Sequence, residues 1–276
     1  MQNKNKIESR AGLLWGKDIW VKVSKNKKRM PSHSYQLKDI FKKKWTNALK
    51  GKLLEIGCGS GSDLEVFLKI KKIKSIKAID LGQHVKKLSK IYKDKKNIFI
   101  ERGNALSLKF KNNEFDVIYS FGVFHHTVNP KKCISEAKRV LKENGKLFLY
   151  LYSSHEDLIF KRVGILCEKI IMKLFNFIPY MLQHFICILL SPICWFIFSL
   201  PSFFLRIVGL NNFSKKIPFY FATHPFSLIY DLKDRLMSPI NHRYSKIEMQ
   251  EILKSLKFSQ IEVVKNSSGL YIYAVK

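Results

Sequence analysis

Three glycines that follow a short apolar run are the first residues of this chain whose spacing suggests chemistry. The run of residues 53–56 leads into Gly57, Gly59 and Gly61, which alternate in a turn before a helix. Glycines there let the backbone pass close to a ligand, and the start of the helix offers free N–H groups. Roughly twenty residues later, Asp80 ends a second apolar run, where a carboxylate can accept both hydroxyls of a ribose. The spacing predicts a nucleoside pocket at the carboxyl edge of a parallel sheet.

The position of the third glycine separates two kinds of nucleoside pocket. A dinucleotide loop needs a small residue at the sixth position, but here Gly61 comes one place early and Ser62 follows it. With Glu55 two residues before the first glycine, the loop resembles motif I of the class I S-adenosylmethionine-dependent methyltransferases. The resemblance implies that the loop meets the amino-acid tail of S-adenosylmethionine and that Glu55 helps to balance its ammonium group. The cofactor-binding residues implied here are Glu55, Gly57, Cys58, Gly59, Gly61, Asp80 and Leu81.

Two later segments extend the resemblance. Asn104 and Ala105 stand where the family holds the adenine edge, although most members have Asp in place of Asn104, which could also be a simple turn residue. Residues 115–127 resemble the fourth motif of the branch that contains ubiquinone and menaquinone biosynthesis methyltransferases, a branch with the methyltransferase type 11 domain. This resemblance implies that Ser120 and Phe121 lie under the methionine part of the cofactor.

The adjacent histidines His125 and His126 begin the next loop and are expected to face the acceptor. One of them could serve as a general base, which methyl transfer needs only if the acceptor is a poorly acidic hydroxyl or amine. Structural histidines that hold the loop are the alternative. Two adjacent residues rarely point at one ion and no third ligand is evident, so no metal is expected.

The order of apolar runs and helical stripes predicts the fold class, a doubly wound α/β sheet. Strands are expected near residues 52–56, 75–80, 98–102, 115–120 and 146–152, and after a capping box at Ser245 and Glu248 the runs 260–265 and 270–275 read as a β-hairpin. Helices are expected over residues 35–49, 63–70, 83–92 and from Pro130 to a terminal Gly145. The resemblance implies a mostly parallel, seven-stranded, Rossmann-like methyltransferase sheet.

Four segments follow from this pattern. They are an N-terminal helical cover of the cofactor site (residues 1–50), the cofactor-binding core (51–152), an apolar helical insertion after the fifth strand (153–225) and a C-terminal helix with a hairpin that completes the sheet (226–276). The resemblance covers residues 50–152 well and residues 225–276 loosely.

The insertion contains an apolar run without charge. Residues 174–205 hold no Lys, Arg, Asp or Glu, and basic residues stand on both flanks. We expect Pro179, Pro192 and Pro201 to break the run into helices too short to cross a bilayer singly. Positive charge on both sides is also not the pattern of one spanning helix. A lid or pocket wall, contact with a membrane surface, and a true span remain open interpretations.

The composition limits the class of protein without deciding it. A net charge of +29 comes mostly from lysine spread along the chain, while arginine, which binds phosphate bidentately, is scarce. A lysine-rich genome composition, a membrane surface and nucleic acid each explain that charge. Five cysteines without C-x-x-C spacing argue against zinc and disulfides. Together with a polar N-terminus, they predict a cytoplasmic protein, peripheral at the inner face of the membrane if the insertion contacts lipid.

Three functions are compatible with these features. The first is a methyltransferase that takes S-adenosyl-L-methionine as cofactor and acts on a small lipophilic or lipid-linked acceptor, which the apolar insertion suggests. The second is a methyltransferase for a soluble metabolite or a surface-polysaccharide sugar. The third is an RNA-modifying or nucleic-acid-binding protein, which only the charge suggests. Ser120, Phe121 and Gly122 stand where amino-group methyltransferases of nucleic acids carry an N/D-P-P-[YF] signature, so nucleic acid is the least favoured partner.

Overall fold

The structure, a computed structural model, describes residues 32–156, 159–175 and 177–276. These residues divide into two compact units. One unit extends to Ser153 and resumes at His242, and the other is Ser154–Asn241. Most of the N-terminal cover predicted for residues 1–50 lies outside the described residues, and its described part begins at residue 32.

The first unit is built on one seven-stranded sheet in the order β3-β2-β1-β4-β5-β7-β6. The strands are β1 (Gly51–Ile56), β2 (Ile73–Asp80), β3 (Ile98–Arg102), β4 (Phe115–Phe121), β5 (Leu141–Leu151), β6 (Ser259–Lys265) and β7 (Leu270–Val275). The first five strands run parallel, and β7 lies antiparallel between β5 and β6. The predicted mostly parallel, doubly wound sheet is therefore confirmed. Strand order reverses between β1 and β4, which opens a crevice at their carboxyl ends.

Helices accompany the sheet, and apolar side chains fill both of its faces. The helices of this unit are Ser34–Phe41, Lys43–Ala48, Ser62–Leu68, Val85–Ile91, Pro130–Val140 and Lys246–Ser255. Successive residues of β1, such as Leu53 and Leu54, belong to two different buried clusters, because neighbouring side chains of a strand point to opposite faces. The predicted capping box is present, since the Ser245 hydroxyl accepts from the Glu248 N–H while the Glu248 carboxylate accepts from the Ser245 N–H.

Three helix predictions in this unit were wrong in detail. The helix predicted over residues 35–49 is interrupted at Lys42, whose φ is 43°. The helix that begins at Pro130 ends at Val140 because Leu141 pairs with Phe115 of β4 and starts β5. Gly145 therefore does not end that helix. The helix predicted over residues 83–92 spans only Val85–Ile91, and the residue after it, Tyr92, is buried.

The second unit is helical and contains the apolar run. Its helical segments are Ile159–Phe175, Tyr180–Cys194, a π-helical turn Trp195–Ser199, Leu200–Ile207, Asn211–Ser214 and Ile229–Leu236. The chain forms one continuous helix over Tyr180–Ile207, so the expected breaks at Pro192 and Pro201 were wrong. The π-helical turn lies between these prolines and is a geometry that accommodates disturbed helical hydrogen bonds. Among the described residues, this is the one helix long and apolar enough to cross a membrane.

Candidate active site

A cleft opens in the first unit at the carboxyl ends of four neighbouring strands, β3, β2, β1 and β4. It contains about 780 Å³ of space, which includes a part open to solvent. Its walls are formed by Ile56, Gly57, Ile79, Asp80, Leu81, Gly82, Gly103, Asn104, Ala105, Phe121, Gly122, Val123, His126 and Thr127. The cleft therefore lies at the point where the reversal of strand order predicts a ligand.

The glycine loop after β1 leaves no room for a side chain at its first position. Gly57 has a φ of 84°, and a Cβ atom there would come within 2.1 Å of Cγ2 of Val123. The N–H groups of Gly57 and Cys58 both donate to the Ile79 carbonyl, at 2.7 and 3.1 Å, which fixes the loop against β2. A residue with a side chain at position 57 would therefore displace Val123, which also lines the cleft.

Asp80 holds two loops together at the bottom of the cleft. Its Oδ2 accepts the Gly59 N–H at 3.0 Å, and its Oδ1 accepts the Gly82 N–H at 2.9 Å. A carboxylate has about four lone-pair sites, so two backbone bonds leave it able to accept further donors from a ligand. Asp80 therefore has both the position and the acceptor capacity for the predicted ribose contact.

Beside the glycine loop, the carboxyl group of Glu55 is influenced electrostatically by the carboxylates of Asp63 and Asp80. Asp63 is well supplied with donors, because Oδ1 accepts from the Ser34 N–H at 2.8 Å and Oδ2 accepts from the Tyr119 hydroxyl at 2.9 Å. Glu55 is buried, and its Oε2 has no hydrogen-bond donor among the described residues. Burial, together with the charges of Asp63 and Asp80, raises the pKa of Glu55 well above its ordinary value. An acceptor of this kind favours a cationic group of a ligand.

The segments after β3 and β4 form the other walls. Asn104 Oδ1 accepts the Leu106 N–H at 2.9 Å, so the side chain stabilises a turn while the residue also lines the cleft. Phe121 lines the cleft and stacks on Tyr150, with ring centroids 4.1 Å apart. Ser120 is buried, and its hydroxyl donates to the Ile56 carbonyl at 2.8 Å, which joins β4 to β1. Ser120 is not a wall residue, and its predicted contact with the cofactor stays a prediction.

The two adjacent histidines lie in different surroundings on the 3₁₀ turn Phe124–His126. His126 lines the cleft. His125 is fully buried, and its ring stacks on Tyr152 at 4.0 Å, with no hydrogen-bond partner for either ring nitrogen among the described residues. Burial and then the neighbouring His126 lower the pKa of His125 well below its ordinary value, so its imidazole stays neutral. Of the two predicted catalytic residues, only His126 faces the cleft.

The structure brings most of the predicted cofactor residues to one place. The predicted residues that line the cleft are Gly57, Asp80, Leu81, Asn104, Ala105, Phe121 and His126. Glu55, Cys58, Gly59, Gly61, Ser120 and His125 are not among the wall residues. The sequence prediction missed Val123 and Thr127 on the wall and Asp63 behind the loop. Asp63 had a signal, since it is an acidic residue in the first turn of the helix after the glycines.

Comparison with known proteins adds an independent finding. The family described as "Methyltransferase domain" matches residues 54–149. The uncharacterized protein MJ1123 of Methanocaldococcus jannaschii is 37% identical over 101 residues, which are 36% of this chain and 44% of that protein. The mitochondrial ubiquinone biosynthesis O-methyltransferase of Candida albicans is 29% identical over 101 residues, which are 35% of this chain and 31% of that protein.

Among solved structures, the YcgJ protein of Bacillus subtilis aligns over 84% of this chain and 71% of its own, with 15% identity and a TM-score of 0.49. The chain spans less than half the length of the two curated relatives named above. The matched segment, residues 54–149, runs from β1 to β5 and contains every wall residue of the cleft. Residues 54–149 are therefore similar to a methyltransferase domain.

Proposed function

We propose that this protein is an S-adenosylmethionine-dependent methyltransferase whose acceptor is a small lipophilic or lipid-linked molecule. The observation that carries the methyltransferase part is the cleft, in which Gly57, Asp80 and Asn104 lie at the ends of successive strands within the matched domain. The lipophilic acceptor rests on the apolar insertion that follows β5, and the relation to a ubiquinone methyltransferase is consistent with it.

The residues that line the cleft, and Glu55 beside the glycine loop, fit this cofactor. The buried Oε2 of Glu55 lacks a donor among the described residues and suits the ammonium group of the methionine part. Asp80 keeps acceptor sites for the ribose hydroxyls, and the Asn104 amide suits the adenine edge. When bound, the cofactor supplies a methyl group on a sulfonium, which is already a good leaving group.

The protein therefore has to orient the acceptor and keep water away. Phe121, held by its stack on Tyr150, gives the cleft a rigid aromatic wall. His126, a titratable residue of the cleft wall, follows β4 by five residues. Its imidazole can accept a proton from a hydroxyl or amine acceptor. His125, neutral and packed on Tyr152, positions the turn that carries His126.

Two other functions compete with this one. A methyltransferase for a soluble metabolite or a sugar would use the insertion as a lid. An RNA-modifying enzyme would use the positive charge of the chain, but it has no further supporting observation. A cytoplasmic protein at the inner face of the membrane is the location that agrees with the proposed acceptor.

The test is transfer of a tritiated methyl group from S-adenosylmethionine into an extract of the source cells, which is then partitioned into lipid, aqueous and RNA fractions. We expect label in the lipid fraction, and clearly less of it with the Asp80→Ala variant at a subsaturating cofactor concentration. Label confined to the aqueous or RNA fraction would replace the proposed acceptor with one of the alternatives. No transfer into any fraction, with a protein that binds S-adenosylhomocysteine, would count against the methyltransferase activity itself.

A further inference from the structure

The long helix Tyr180–Ile207 has an inverted distribution of polar and apolar side chains. The residues on its buried side include Gln183, Cys187, Ser191, Ser199 and Ser202. Its exposed side carries large apolar side chains, namely Met181, Leu182, Phe185, Leu189, Ile193, Phe196, Ile197, Phe203, Phe204 and Ile207. Leu189 is 68% exposed. In a soluble protein, the apolar side of a helix is buried and the polar side is exposed, because burial of apolar surface stabilises the fold in water.

The inward polar side chains bind backbone carbonyls of neighbouring segments. The Ser191 hydroxyl donates to the Pro225 carbonyl at 2.6 Å, and the Ser199 hydroxyl donates to the Phe219 carbonyl at 2.8 Å. The Gln183 amide donates to the Phe175 and Ile178 carbonyls at 2.6 and 2.8 Å. Internal donors for irregular backbone are needed where water is absent, and small polar residues between packed segments are typical of proteins in lipid.

The helix Ile159–Phe175 also exposes apolar side chains, and it carries charged residues as well. Glu168 and Phe175 are buried, and Glu168 pairs with Arg235 at 3.3 Å within this unit. The opposite side of the helix carries an exposed apolar stripe of Val163, Leu166, Ile170 and Leu174, and the exposed Arg162, Lys169 and Lys173 follow one edge of that stripe. The charges that border the apolar stripe are therefore positive, while the acidic residue of the helix points inward.

Chain connectivity limits how this unit can meet a bilayer. The strand before it, β5, and the strands after it, β6 and β7, belong to one sheet, so both ends of the insertion lie on the same side of any membrane. An even number of crossings would be required, but the described residues contain one helix that is apolar and long enough. Insertion from one side, without crossing, satisfies both facts.

We propose that Ser154–Asn241 is a monotopic membrane-binding module that inserts its apolar surface into one leaflet of an anionic bilayer. The membrane-binding surface is formed by the exposed apolar residues of the helices Ile159–Phe175 and Tyr180–Ile207. Arg162, Lys169 and Lys173 contact anionic headgroups at its border, where positive side chains next to apolar ones favour such lipids. At the other end of the long helix, Arg206 and Lys216 lie over the rings of Phe203 and Phe213, with 5.9 and 5.1 Å to the centroids, as basic side chains do at an interface. The proposal rests on this unit alone and does not depend on the proposed acceptor.

The first test is flotation of the full-length chain with vesicles of phosphatidylcholine, with and without phosphatidylglycerol. We expect binding that is stronger to the mixed vesicles. The variant Leu189→Ser/Ile193→Ser/Phe196→Ser should lower the partition coefficient at least about tenfold, because it removes apolar area that contacts lipid. The control is Phe99→Ser, which removes an exposed aromatic side chain from β3 and should leave binding unchanged. Retained affinity for S-adenosylhomocysteine shows that the first unit is folded, and an unchanged helical circular dichroism spectrum shows the same for the insertion.

The second test separates charge from apolar contact. The variant Arg162→Glu/Lys169→Glu/Lys173→Glu should lose the preference for phosphatidylglycerol vesicles. A wild-type chain that does not float with either vesicle would overturn the proposal. So would a stable dimer in detergent-free solution that binds no vesicles, since the apolar surface would then be covered by a second copy.

The third test asks whether the unit crosses the membrane. In a Cys167→Ser background, cysteines are introduced singly by Lys173→Cys and Lys215→Cys, on either side of the long helix. A membrane-impermeant maleimide added outside vesicle-bound protein should label both positions. Protection of one position while the other is labelled would show a crossing and contradict a monotopic arrangement.

Discussion

The sheet unit that holds the cleft and the long helix of the insertion, Tyr180–Ile207, bury opposite kinds of side chain. In the first, aliphatic and aromatic residues fill clusters on both faces of the sheet. In the insertion, the long helix turns serines and a glutamine inward and leaves leucines, isoleucines and phenylalanines exposed. The same rule explains both, because apolar side chains leave water for whatever apolar medium is available. For the first unit that medium is its own core, and for the insertion we propose that it is a bilayer.

The two units also differ in how a partner is recognised. A nucleoside cofactor needs a few polar groups at fixed places, which the loops after β1, β2 and β3 provide. A bilayer is a medium without fixed partners, so a surface of suitable composition is sufficient. Substitutions in the cleft should therefore have large effects on cofactor affinity that depend on the exact position. Substitutions on the insertion should have graded, additive effects on membrane binding. Four predictions test that difference, beginning with the largest effect.

Gly57→Val should abolish measurable binding of S-adenosylhomocysteine, a loss of more than about 100-fold. A valine here would have to adopt the φ of 84° that glycine tolerates, and its side chain would collide with Val123. The measurement is isothermal calorimetry, with the melting temperature recorded to confirm folding. Gly164→Ala is the matched control, because no atom lies within 4 Å of a Cβ at that helical position. Binding by Gly57→Val with wild-type affinity would show that the loop does not border the cofactor.

Asp80→Ala should weaken S-adenosylhomocysteine binding by about 1–3 kcal/mol, or roughly 5- to 150-fold. The variant loses both the predicted ribose contact and the two backbone bonds that hold Gly59 and Gly82. Asp116→Ala is a suitable control, since that carboxylate binds Lys142 away from the cleft wall. Equal affinity of Asp80→Ala and the wild type would place the ribose elsewhere.

Cofactor affinity should rise with pH through the raised pKa of Glu55. Below that pKa the carboxyl group is protonated and cannot balance an ammonium group, whereas above it the carboxylate is ionised. Binding of S-adenosylhomocysteine should therefore release a proton from Glu55, which calorimetry in buffers of different ionisation enthalpy measures. Glu55→Gln should weaken binding by about tenfold at neutral pH and remove that proton release. Unchanged proton release in Glu55→Gln would assign the titration to another group.

The variant Leu189→Ser/Ile193→Ser/Phe196→Ser should change the affinity for S-adenosylhomocysteine by less than about threefold. These side chains are exposed on the insertion, and none belongs to the cleft wall. Turnover of the acceptor should fall, because we propose that the insertion serves the acceptor. A folded variant that loses cofactor binding would show that the insertion helps to build the cofactor site, and the contrast between the two units would fail.

By itself, the sequence determined the sheet, its strand positions and the neighbourhood of the cofactor. Alternating apolar runs, the spacing of Gly57, Gly59 and Gly61, and Asp80 depend on local backbone geometry and on the parallel arrangement of strands, which are readable along the chain. The strands were predicted to within a few residues, except that β5 begins earlier, at Leu141.

Only the tertiary structure decided which neighbours share a site. It separates His126 in the cleft from the buried His125, joins Asp63 to Tyr119, and ends the helix from Pro130 where Leu141 finds a strand partner. It also keeps the long helix continuous through Pro192 and reveals which of its faces is buried. These outcomes depend on contacts between residues far apart in the chain, so no local pattern could specify them.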